Sequence, residues 1–238
     1  VKISVIEFPG SNCDHDAYEW PLRMFGKAPE RVWYADRDLK RADLVIIPGG
    51  FSYGDYLRCG AMAARSPVME EVVAHAKRGG YVIGICNGFQ ILCESGLLPG
   101  ALLKNRTLTF LCLEVVLRCE TTNAPFTASL RKGDLLRMPI AHGDGNYYCD
   151  EKTLRGLLDE ERVAFRYVSP EGRVADEWNF NGSMDAIAGI LSENRRVLGM
   201  MPHPERASEA LLGSTDGAAI LRSAAKAIDK NGKVEQNG

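Results

Sequence analysis

Four short apolar runs recur along the chain, at 3–8, 44–47, 81–85 and 197–201. They are too short for globular helices and too uniformly apolar for strands with one wet face, so each predicts a strand buried on both faces. Between them lie stretches with helical spacing, 16–25 and 68–78, the second placing Val68, Val72 and Ala76 on one face. This alternation predicts an α/β fold, an open and mostly parallel sheet flanked by helices. The stretches 107–118 and 135–142 are strand-like but joined by loops, which predicts an antiparallel extension in the middle of the chain. A last helix is expected over 216–229, closing a single domain of residues 1–229, with a frayed polar tail over 230–238.

Charge narrows the partners. Lys+Arg 29 against Asp+Glu 31 gives a formal charge of -2, without the positive excess expected of a general nucleic-acid or membrane-surface binder. A small molecule or a protein is the expected partner. The first residues already read as a strand, which leaves no room for a secretory leader, and no run reaches the roughly 18–20 apolar residues of a membrane span. Seven cysteines, at 13, 59, 86, 93, 112, 119 and 149, form no C-x-x-C pair. Reduced thiols in a cytoplasmic protein are expected. Cys13, Asp14, His15 and Asp16 are close in sequence, but their spacing fits no closed zinc pattern, and no metal is expected there.

The string Gly84-Ile85-Cys86-Asn87-Gly88-Phe89-Gln90 follows a buried strand and precedes a short apolar segment. It is a G-x-C-x-G counterpart of the nucleophile elbow, a tight turn that lifts the middle side chain clear of the sheet. Side chains at 84 or 88 would crowd neighbouring backbone there, which is why both are glycine. At a helix N-terminus the helix dipole favours the thiolate form of Cys86, the reactive one. Of the four histidines, His203 follows the last apolar run directly, in Pro202-His203-Pro204-Glu205, so it projects from a strand's C-terminal end, and the flanking prolines fix its backbone. Glu205, two residues on, points the same way in an extended segment and orients the imidazole. The loop Pro48-Gly49-Gly50 supplies an oxyanion donor, the N–H of Gly50, to act with that of Asn87.

These three strings together resemble the class I, triad-type glutamine amidotransferases, over nearly the whole chain. Phe8-Pro9-Gly10-Ser11-Asn12-Cys13-Asp14, the continuation of the glycine loop through Gly54-Asp55-Tyr56-Leu57-Arg58, and Pro139-Ile140-Ala141-His142-Gly143-Asp144-Gly145 are similar to the glutaminase subunits that serve de novo purine synthesis. The resemblance implies that Cys86 attacks the carboxamide of glutamine, that His203 protonates the departing ammonia, and that water releases glutamate from a thioester. It implies further that Gly49, Gly50, Phe51, Gln90, Gly143 and Asp144 hold glutamine, with His142 shaping the pocket. Ammonia would pass to a large synthetase subunit that carries ATP and Mg, alongside a small third subunit. The chain itself has no G-x-x-x-x-G-K-[ST] phosphate loop, and no cofactor is expected in it. Fold and triad do not by themselves select an amide, so a stand-alone cysteine hydrolase, or a catalytically silent assembly subunit, are the competing expectations.

Overall fold

The computed structural model describes residues 1–235, with side chains through residue 230. In chain order the elements are β1 (Ile3–Glu7), α1 (Asp14–Phe25), β2 (Glu30–Trp33), β3 (Leu44–Ile47), α2 (Pro67–Lys77), β4 (Tyr81–Ile85), α3 (Asn87–Glu94), β5 (Ala101–Leu103), β6 (Leu111–Cys119), β7 (Leu135–His142), β8 (Asn146–Tyr148), α4 (Glu151–Asp159), β9 (Val163–Val168), β10 (Ile187–Leu191), β11 (Val197–Met200) and α5 (Asp216–Glu235). All except β5 and β8 among the strands join one sheet, in the order β2-β1-β3-β4-β11-β10-β9-β6-β7.

The apolar runs become the centre of that sheet. β1, β3, β4 and β11 pair in parallel with β2 outermost, and every residue of β3, β4 and β11 is buried. β10 then pairs antiparallel with β11, and β9, β6 and β7 continue antiparallel from there. The α/β architecture with an antiparallel extension is therefore present. The extension also includes β9 and β10, two apolar stretches that the helix-and-strand alternation did not single out.

Two boundaries differ from expectation for local reasons. The strand expected from 107 starts at Leu111, because Leu108 takes a positive φ of 56° and donates its N–H to the Asn105 carbonyl in a turn. α5 runs to Glu235 rather than ending at 229. No proline interrupts that stretch, and its one glycine costs a helix only about 1 kcal/mol. Of the expected frayed tail, 236–238 lie outside the described residues.

The parallel half places its strand C-termini along one edge. From that edge emerge the segment after β1, the glycine loop after β3, the turn after β4 and the segment after β11. This is where open α/β sheets bind ligands.

Candidate active site

Cys86 occupies the turn between β4 and α3 with φ 51° and ψ -108°. A non-glycine residue held in such a region costs of order 1–3 kcal/mol and persists only where its surroundings enforce it. Here its N–H donates to the Met200 carbonyl of β11 (2.8 Å), and its carbonyl accepts from the N–H groups of Phe89 (2.9 Å) and Gln90 (3.2 Å). The glycines beside it have the steric cause read from the sequence. A Cβ on Gly88 would lie 2.1 Å from the Ile47 carbonyl oxygen, and one on Gly84 would lie 2.6 Å from that of Gly88. The helix packs too close to the sheet for any side chain.

His203 leaves the end of β11 with its N–H donated to the Pro139 carbonyl of β7 (2.9 Å), so the parallel and antiparallel halves both fix it. Its Nδ1 lies 2.5 Å from Glu205 Oε1, and both residues are 1% exposed. Burial alone pulls an imidazolium's pKa down, but the Glu205 carboxylate and Cys86 outweigh it, so the His203 pKa is raised. Nε2 is buried and makes no hydrogen bond. Gly49 marks how near this ring lies to Cys86: a Cβ there would stand 2.8 Å from His203 Cε1 and 3.2 Å from Cys86 Cβ. Cys86, His203 and Glu205 thus meet in one small space.

A cavity of about 80 Å³ opens onto Cys86. Gly50, Phe51, Gln90, His142, Gly143 and Asp144, all expected at the substrate pocket, line it. Gly49 lies behind, between imidazole and nucleophile, and Asn87 starts α3 with its side chain buried. Asp55, Cys59, Phe110 and Ala141 also line the cavity and were not predicted as site residues. Asp55 and Ala141 fall inside strings quoted for the resemblance, whereas Cys59 and Phe110 carry no local signal. Burial raises the Asp55 carboxyl pKa, with a Cys59 hydrogen bond opposing and the Asp144 charge reinforcing the shift. Cys59 is itself pushed up, first by burial and then by those two carboxylates.

His142 lines the cavity with its ring held by Asn105. Asn105 Nδ2 donates to the carbonyls of Thr109 (2.9 Å) and His142 (2.8 Å), which leaves Asn105 Oδ1 to accept from His142 Nδ1 (3.0 Å) and the Gly145 N–H (3.0 Å). Burial, aided by the charge of His203, pulls the His142 pKa down to about 4, so the ring is neutral. Cys13 packs against a partner from the far end of the chain. Arg206 donates to its sulfur (3.1 Å) and to Asp16 (2.8 Å), His15 is exposed, and among the described residues no group of three or more His, Cys, Asp or Glu is placed to hold a metal. Burial is the main reason the Cys13 thiol is pushed up to about 12, with Arg206 opposing it.

A larger cleft of about 810 Å³, lined by Lys77, Leu97, Asp150, Arg162 and Asn194, lies at the other end of the strands. It holds no nucleophile with a base beside it.

A family model described as a CobB/CobQ-like glutamine amidotransferase domain matches residues 1–223. The chain belongs to that family. Among its amidotransferase relatives, the phosphoribosylformylglycinamidine synthase subunit PurQ of Koribacter versatilis is 56% identical over 231 residues, covering 97% of this chain and 100% of that one. The PurQ subunit of Rhodospirillum rubrum is 53% identical, covering 94% of this chain and 98% of its own. Among solved structures, PurLQS from Thermotoga maritima superposes with a TM-score of 0.83 at 44% identity, covering 95% of this chain and 98% of that chain. Among the described residues of this amidotransferase, no helix is long and apolar enough to cross a membrane.

Proposed function

We propose that this chain is the glutaminase subunit of a phosphoribosylformylglycinamidine synthase, hydrolysing glutamine at Cys86 and passing ammonia to a synthetase subunit. The observation that carries the chemistry is the buried contact of His203 with Glu205, set against Cys86 across the bare face of Gly49. Cys86 Sγ attacks the carboxamide carbon, and the developing oxyanion takes hydrogen bonds from the N–H groups of Gly50 and Asn87. His203, held as imidazolium by Glu205, gives its proton to the departing nitrogen, and the C–N bond breaks to release ammonia. His203, now neutral, takes a proton from water as that water attacks the thioester. Glutamate leaves and the thiolate returns.

The cavity walls at Phe51, Gly143 and Asp144 are the glutamine-holding surfaces in this reading, and the Gln90 side chain is tied to the Asp144 carbonyl among them. A partner seated over the mouth is supported by the apolar groups exposed around it, with Tyr56 74% and Leu57 92% exposed and the rings of Phe51 and Phe110 6.2 Å apart. That partner is the large synthetase, which carries ATP and Mg, assembled with a small third subunit in the cytoplasm.

The test is reconstitution with the synthetase. Replacing Cys86 by alanine abolishes glutamine-dependent synthesis and leaves ammonia-dependent synthesis in place. Intact glutamine use by Cys86→Ala, or turnover of peptides and esters but not of glutamine by the wild type, would overturn the reading.

A further inference from the structure

A directed chain of buried amides crosses the site. The Ser52 N–H donates to Asn87 Oδ1 (3.2 Å), Asn87 Nδ2 donates to Gln90 Oε1 (2.8 Å), and Gln90 Nε2 donates to the Asp144 carbonyl (2.7 Å). Both ends are backbone groups, one able only to donate and the other only to accept. The orientation of each side-chain amide is therefore fixed, because flipping either would set N–H against N–H or oxygen against oxygen. Asn87 is 1% and Gln90 5% exposed, and the two sit at i and i+3 on the first turn of α3, directly after the nucleophile.

The chain joins three separate pieces of the site. Ser52 lies two residues beyond Gly50 on the oxyanion loop, Asn87 and Gln90 belong to the helix that Cys86 starts, and Asp144 is on the loop after β7. Each amide has its oxygen and nitrogen engaged by protein, and an unpaired buried polar group is costly, so one broken link loosens its neighbours.

We infer that Asn87 and Gln90 are positioning residues of the glutaminase, whose side-chain amides set the oxyanion loop and the 143–145 loop against Cys86. Gln90 thereby serves to place the walls that hold glutamine. This rests on the glutaminase reading. Because the two amides form one unit, removing either has the same consequence: a misplaced oxyanion donor, felt in the transition state.

The experiment is a double-mutant cycle on the assembled complex with Asn87→Ala, Gln90→Ala and the pair. Each single variant is expected to lose about 10- to 100-fold in kcat for glutamine with KM changed by less than about 3-fold, and the pair to be little worse than the worse single. Asn87→Asp and Gln90→Glu, which keep shape but cannot donate onward, give the same signature if an alanine variant does not fold. A readout independent of turnover is hydrogen exchange: Gln90→Ala, which does not touch Ser52, speeds exchange of the Ser52 N–H about tenfold. Losses that multiply, a raised KM with unchanged kcat in Gln90→Ala alone, or unchanged Ser52 exchange would overturn the inference. If the wild-type complex fails to use glutamine while Ser52 exchange responds, the glutaminase reading has failed and the amide chain stands.

Discussion

The His203 imidazole and the Glu205 carboxylate meet at 2.5 Å, Nδ1 to Oε1, in a site where neither reaches solvent. Burial opposes the charge on His203 and Glu205 restores it, so the carboxylate sets both tautomer and charge. Glu205→Gln is expected to lower kcat by about 10²–10⁴-fold, read from steady-state glutamine hydrolysis by the complex.

The same pair predicts a pH-dependent stability. A histidine whose folded pKa is raised contributes stability that is fully present below its ordinary value and is lost as pH rises through the raised one. Wild type therefore exceeds Glu205→Gln in thermal midpoint most around neutral pH, and the gap narrows as pH climbs. A gap that widens towards alkaline pH would contradict the pairing.

Two glycine substitutions separate function from folding. At Gly49 an added Cβ meets a movable imidazole and the nucleophile, so Gly49→Ala loses about 100-fold or more in turnover for a stability cost of about 1–3 kcal/mol. At Gly88 the same atom meets the Ile47 carbonyl of β3, which cannot move without the sheet, so Gly88→Ala loses stability first. Denaturant unfolding and turnover of the two variants check this ordering.

Cys59 and Cys86 line the same cavity, yet burial and the Asp55 and Asp144 carboxylates keep Cys59 a thiol at neutral pH. A glutamine-shaped electrophile is expected to modify Cys86 and spare Cys59, as peptide mass mapping would report. Asp55→Asn removes one of those charges and brings the Cys59 pKa down, making it easier to label at alkaline pH.

Much of this site is legible in the sequence because its parts are local. The elbow needs small residues two before and two after Cys86, and His203 and Glu205 share one short proline-bounded segment, so spacing alone conveys their geometry. The buried runs at 44–47, 81–85 and 197–201 are legible for the same reason, since burial on both faces removes all polar alternation. Asp55, Cys59 and Phe110 were not, because what makes them site residues is the folding of distant loops onto one cavity. Cys13 shows the reverse. Asp14, His15 and Asp16 are its neighbours in sequence, whereas the residue that donates to its sulfur, Arg206, comes from the far end of the chain. The length of the antiparallel half is less legible, because β9 pairs with β6 across a long stretch of chain, whereas β10 pairs antiparallel with its sequence neighbours β9 and β11 although its fully buried run has no polar alternation to mark it.

A covalent γ-glutamyl thioester on Cys86 is open to direct detection by rapid acid quench of the complex turning over glutamine, followed by mass spectrometry of the peptide that contains residue 86. A glutamyl adduct is expected on that peptide in the wild type and none in Cys86→Ala. Steady turnover of glutamine with no adduct on Cys86, or with the adduct on another cysteine, would contradict it.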